Sequence, residues 1–183
     1  MRFAPLSLCL ALGLLGCKAS THPQPEFLPL LTSIEQRLDL ASPVAAHKWD
    51  HRLPVLAPER ERQVLEQVSK LAFEYDLSPE RAAAFFSDQI EANKLIQYTL
   101  LARWTARGQR PPAAPIDLAN ELRPRLDELQ ATLLFELRRF DQRQPEDCPH
   151  KLADALARRT QAPLLHQALA RATQHLCAVR QAR

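Results

Sequence analysis

Glycine is scarce in this chain, with 3 in 183 residues against 15 prolines. That excludes a Gly-rich phosphate-binding loop and argues against a turn-rich β-sandwich, since both need backbone at positive φ. No Cys-x-x-Cys pair is present among the 4 cysteines, so the motifs of zinc ribbons and dithiol redox centres are missing. Charge of one sign is also lacking. The formal net charge of +3 falls to +2 once Arg2, which alone is charged among residues 1–16, is set aside. A balance this small supplies no field for wrapping nucleic acid. The doublets Arg138-Arg139 and Arg158-Arg159 fit solvated helix ends, where the helix dipole favours cations.

What is present is 46% hydrophobic and 25% charged, the composition of a globular domain. No segment sustains the period-2 alternation of β-branched residues that a strand requires. The expected fold is therefore all-α, a single helical domain of about six helices with one long central helix. Proline repeatedly stands where a helix would open. Ser78-Pro79-Glu80 reads as an N-cap followed by Pro at the first helical position, and Ser42-Pro43 has the same form. Pro58, Pro149 and Pro163 can open helices as well. The expected elements are helix 26–53 (bent near Pro43), helix 58–76 and a long helix 79–107. After the loop Gly108–Ile116 come helix 118–142, kinked or started at Pro124, then helices 149–160 and 163–180.

The start of the chain reads as an address. Arg2 is followed by an apolar run from Phe3 to Gly16, which as a helix rises only ~21 Å against the ~30 Å of a hydrocarbon core. Residues 1–16 are expected to be a signal peptide, with 17–26 as a tether. The ending Leu14-Leu15-Gly16-Cys17 resembles a bacterial lipobox, which would acylate Cys17; the alternative is ordinary cleavage after Cys17-Lys18-Ala19, an A-x-A-like site. Either way the chain is exported to the periplasm. Cys9 leaves with the signal and Cys17 is taken by the lipid, so Cys148 and Cys177 remain to pair in an oxidising compartment. His47 and His51 stand at i,i+4, but Lys48 occupies the place where a zinc protease has Glu, so they read as partly exposed helix histidines.

The apolar stripes carry a defect. On helix 79–107 the buried seam runs Phe86, Ile90, Asn93, Gln97, Leu100, Trp104, with two amides at its middle. The first helix gives Leu30, Ile34, Arg37, Ala41, Val44, Lys48, with two cations on the seam. Arg60 and Glu61 head the seams of helix 58–76, before Val64, Leu65, Val68, Leu71 and Tyr75. Polar groups on a core-facing stripe either satisfy each other, lie at the rim, or enclose something polar. Three cations against the single carboxylate of Glu61 favour a missing anion, with a gap sized for a small dicarboxylate.

These residues carry a resemblance. Glu35-Gln36-Arg37-Leu38, Pro43 to Trp49, Arg60-Glu61-Arg62 and Phe86 to Tyr98 resemble the secreted, all-helical class of chorismate mutases. The similarity is clearest from Phe27 to Trp104. It implies a chorismate mutase-like core over 27–107 and a C-terminal extension, 108–183, of the same domain. It implies a cofactor-free, metal-free isomerase converting chorismate to prephenate. Arg37 and Arg60 would bind the substrate's acidic groups, and Lys48 a carboxylate and the enol ether oxygen. Asn93 would hydrogen-bond the ring carboxylate, and Gln97 would donate to the ether oxygen. Glu61 matches the position that holds the ring hydroxyl in cytosolic relatives. Ala57 falls where many members have Asp. An arginine of the C-terminal half, Arg123 or its neighbour Arg125, would complete a site within one chain, in a monomer or a homodimer. An isochorismate-pyruvate lyase and a non-catalytic helical envelope lipoprotein are the alternative readings. The lipobox makes a prediction: palmitate labelling of the exported chain is lost in Cys17→Ser, and a mature chain starting at Ser20 rules lipidation out.

Overall fold

Ser78 and Pro79 open the longest element as their order predicts. In this computed structural model, which describes residues 26–112 and 114–178, Ser78 Oγ accepts from the Arg81 backbone N–H at 3.1 Å and Pro79 lies in the first turn. The helix runs Pro79–Arg107 and stops at Gly108, whose φ of 69° is the left-handed cap that glycine adopts without strain. The export segment, Cys17 and most of the tether lie outside the described residues.

Seven α-helices order the described chain: α1 (Leu28–Asp39), α2 (Ala41–Asp50), α3 (Pro58–Leu71), α4 (Pro79–Arg107), α5 (Arg123–Gln142), α6 (Cys148–Arg159) and α7 (Pro163–Ala172). A 3₁₀ turn, Ala72–Tyr75, prolongs α3, and a wider π-type turn, Leu118–Leu122, leads into α5 at Pro124. No strand occurs among the described residues, and no described helix is long and apolar enough to cross a membrane.

Two expected boundaries shift, each for a local reason. The first helix was expected to bend near Pro43 with Ser42 as a cap. Instead it breaks at Leu40, because Pro43 has no N–H to give the carbonyl four residues back; Pro43 then sits in the first turn of α2, where that N–H is not needed. The last helix was expected to reach residue 180. It ends at Ala172, where the Thr173 hydroxyl turns back to the Leu169 carbonyl at 2.8 Å and the His175 N–H is captured by the Asp88 carboxylate at 2.8 Å.

The core is one continuous body. Leu30, Ile34 and Leu38 of α1 meet Val68 of α3, Phe85 and Phe86 of α4, Leu133, Leu134 and Leu137 of α5, and Leu169 of α7. Phe27 is buried against Phe140, with ring centroids 5.4 Å apart. A smaller cluster of Leu40, Val44 and Leu122 closes the space between α2 and the entry to α5.

Charge ties the C-terminal helices to this body. Arg81 of α4 forks onto Asp141 of α5 at 2.8 and 3.0 Å and donates to the carbonyls of His175 and Leu176. Arg159 forks onto Glu35 of α1 at 2.6 and 2.7 Å. Asp88, fully buried on α4, accepts from Arg171 at 2.7 Å, and Gln89 donates to the Ala172 carbonyl at 2.7 Å. The Arg81–Asp141 and Arg159–Glu35 pairs, bidentate and part-buried, hold position better than surface ion pairs do. The expected disulfide joins Cys148 to Cys177, 29 residues apart. Constraining a loop of that size stabilises the fold by roughly 3–4 kcal/mol in the chain-entropy treatment. Denaturant unfolding of Cys177→Ser should show a loss of that order with the helical signal retained, and added reductant should lower the wild type to the same value.

Candidate active site

Five helices and one turn wall a cavity of about 120 Å³. Arg37 comes from α1, Val44 and Lys48 from α2, Arg60, Glu61 and Val64 from α3, and Ile90, Asn93, Lys94 and Gln97 from α4. The mouth is completed by Val55 and Ala57, by Leu118, and by Arg123, Leu126 and Asp127 at the start of α5. All seven residues singled out from the sequence are thus brought together around one space. Arg125, the alternative to Arg123, is exposed and does not line it.

The stripes explain how this happens. Leu30, Ile34, Arg37, Ala41, Val44 and Lys48 are all buried, so the seam survives the break at Leu40 and delivers two cations to the interior. Asn93 and Gln97 lie one turn apart on α4 and are likewise buried. Gln97 Nε2 donates to Asn93 Oδ1 at 2.6 Å, and Asn93 Nδ2 makes a long contact, 3.4 Å, to the Arg37 carbonyl. That bond settles the amide of Gln97 with its N–H₂ group on the Asn93 side and leaves Oε1 buried with no partner among the described residues.

The cations are only partly matched. Arg37 is 5% exposed; one guanidinium nitrogen reaches the Leu126 carbonyl at 3.4 Å, and its Nε has no partner among the described residues. Burial pushes its pKa down to about 10, with Asp127 opposing and Arg60 adding to the fall, so it stays protonated at neutral pH. Lys48 Nζ donates to the Val55 carbonyl at 2.7 Å. Burial lowers its pKa below the ordinary lysine value; Glu61 opposes this, and Arg123 and Lys94 reinforce it. Arg60 is paired with Asp127 at 2.6 Å. The Arg123 side chain lines the wall without a hydrogen bond to any described residue, its backbone N–H going to the Leu118 carbonyl.

Two lining residues escaped the sequence reading. Lys94 pairs with Glu61 at 3.1 Å and with Glu91 at 2.6 Å. Its signals were the i,i+3 spacing from Glu91 and its place beside Asn93. Asp127 is the second carboxylate, a correction to the expectation that Glu61 stood alone. No local signal could have found it, since its partner Arg60 is 67 residues away. The lining still holds five cations (Arg37, Lys48, Arg60, Lys94, Arg123) against two carboxylates, an excess of three positive charges. His47 and His51 lie outside this cavity, stacked with centroids 4.0 Å apart, with His47 Nδ1 at 3.0 Å from the Ile116 carbonyl. No group of three or more His, Cys, Asp or Glu side chains placed to hold a metal occurs among the described residues.

A helical fold enclosing a cation-lined cavity offers a site suited to a small polyanion. Residues 29–98 match the family model for chorismate mutase type II. The chain is 29% identical over 136 residues to a secreted chorismate mutase of Mycolicibacterium smegmatis, covering 74% of this chain and 75% of that one. The crystal structure of a chorismate mutase from Burkholderia phymatum superposes with a TM-score of 0.81 at 37% identity, over 86% of this chain and 99% of the other. One from Burkholderia thailandensis gives 0.77, also at 37% identity, over 83% and 99%. The chain belongs to the chorismate mutase family, and it is an isomerase. The mycobacterial relative's description as secreted supports export.

The depressed pKa of Lys48 has a signed consequence. Below that pKa the buried ammonium costs the empty fold stability, and the cost is relieved as pH rises through it toward the ordinary 10.5. Anion binding runs the other way, because it needs the charge. Calorimetric affinity for a small dicarboxylate such as malate should therefore fall at a lower pH than an ordinary lysine would dictate, and Lys48→Met should remove that step.

Proposed function

We propose that the cavity binds chorismate and converts it to prephenate by an intramolecular pericyclic rearrangement. The observation that carries this reading is the excess of three positive charges around an apolar-walled space with room for a guest. Chorismate brings two carboxylates, an ether oxygen and a ring hydroxyl, and the reaction calls for no nucleophile or proton transfer. Catalysis is then a matter of geometry and charge. Arg37, Arg60 and Arg123 fork onto the carboxylates and hold the enolpyruvyl arm over the ring. Asn93 takes the ring carboxylate, and Glu61 the ring hydroxyl.

As the C–O bond breaks, negative charge gathers on the ether oxygen, where Lys48 and Gln97 supply fixed donors. A million-fold acceleration requires ~8 kcal/mol. One placed donor contributes roughly 3–4 kcal/mol, so two donors and a restrained conformer are sufficient. Gln97 has no proton to lose, so it leaves activity level into mildly alkaline pH, up to the loss of charge on Lys48. Arg60 enters this scheme already paired with Asp127, so it acts through nitrogens that the pair leaves free.

The same reading places the enzyme in the periplasm, anchored through a lipid on Cys17, with 27–107 as its catalytic core and 108–183 as an extension of the same domain. On the resemblance, the site is complete in each copy, whether monomer or homodimer, with Arg123 in the lining as the arginine that completes it. The test is spectroscopic loss of chorismate by the purified mature chain, with isochorismate assayed in parallel to separate the lyase. Lys48→Ala should lose at least ~100-fold in kcat/KM with an unchanged helical spectrum. Near-normal turnover in that variant would make the seam cations structural only.

A further inference from the structure

Glu61 is the lone carboxylate that α3 contributes to the cavity lining, and it lies near enough to the buried ammonium of Lys48, in the same lining, to favour that group's charged form. Where burial lowers the local dielectric, two such groups attract each other strongly. A closed Lys48–Glu61 pair would take away the cation on which the reaction depends. The structure avoids it with two bonds. Glu61 Oε1 accepts from the Ala57 backbone N–H at 3.2 Å, and Oε2 accepts from Lys94 Nζ at 3.1 Å.

Lys94 is itself well placed to hold on. Its side chain is 13% exposed and rides on α4, one residue beyond Asn93. Its ammonium is also drawn to Glu91 at 2.6 Å, a partner on the same helix that fixes its direction. Burial pulls the lysine's pKa down, but Glu91 and Glu61 outweigh it, and the net shift is upward, so Lys94 stays charged across the working range. Lys48, meanwhile, spends one N–H on the Val55 carbonyl and keeps the others for the cavity.

We propose that Lys94 is a positioning residue that sequesters Glu61 at the N-terminus of α3 and so keeps Lys48 free for substrate. This rests on the chorismate reading above. It makes an unusual demand: removing the Lys94 charge harms activity through Glu61, and neutralising Glu61 then repairs the harm. Glutamine suits that second change, because it keeps an oxygen for the substrate hydroxyl and loses only the charge.

The experiment is a double-mutant cycle on chorismate turnover with Lys94→Met, Glu61→Gln and the two combined. Lys94→Met should lose at least about tenfold in kcat/KM, with thermal stability and helical signal recorded to confirm folding. Adding Glu61→Gln should recover most of the loss, and Lys94→Arg should stay near wild type. A double variant no better than Lys94→Met would overturn the proposal and make Lys94 a direct substrate ligand or a structural group. Full activity in Lys94→Met would also overturn it. A wild type that leaves chorismate unchanged refutes the function itself, an outcome visible before any variant is compared.

Discussion

The structure depends on one uncomfortable fact, a surplus of positive charge held away from water. Desolvating a cation costs several kcal/mol unless it is paired, and pairing every one would leave no reason for a cavity. Here Arg60 has Asp127 and Lys94 has two glutamates, while Arg37 and Lys48 make do with single carbonyl contacts. Burial accordingly lowers the pKa values of both Arg37 and Lys48. On the proposed reading, a dianion in the cavity would offset that cost by pairing with both groups.

Such a site must be rigid, since a pericyclic reaction offers an enzyme nothing to hold but shape and charge. Rigidity is supplied from behind. Arg37 lies over the Phe86 ring, 6.0 Å from its centroid, and Phe86 belongs to the main core. The mouth at Arg123 and Asp127 is set by α5, whose inner face of Leu133, Leu134 and Leu137 is fully buried. The far end of α5 is clamped by Arg81 through Asp141. Displacing α5 by an ångström would move both Arg123 and the carboxylate that restrains Arg60, so the anchoring of α5 bears directly on the site.

Much of this was legible in the chain because the site is built on stripes. A cation or amide that interrupts an apolar stripe stepping every third or fourth residue is visible without coordinates, and Arg37, Lys48, Asn93 and Gln97 declare themselves this way. The α4 boundaries were readable too, since Ser78-Pro79 and Gly108 are local devices. What was not readable is long-range or competitive. The pairing of Arg60 with Asp127 depends on how α5 lies against α3, which no periodicity encodes. The end of α7 is decided by Asp88, 87 residues from the His175 N–H that it captures. The break at Leu40 shows a subtler failure, where a proline was read as the opening of a helix although its effect falls on the carbonyl behind it.

Ala57 shows how a loss can be absorbed. The resemblance places an aspartate there in many members, at the residue that caps α3, and this chain has no side chain able to cap it. The Ala57 N–H is instead met by Glu61 from one turn inside the helix, a reach-back of the kind that a capping box uses. Glu61 spends one oxygen on the Ala57 N–H and the other on Lys94. The missing aspartate, the backward-reaching glutamate and the buried lysine thus form a single compensating set. Its net effect is one fewer carboxylate competing for the catalytic cations, which keeps the cavity more positive than an aspartate at 57 would leave it.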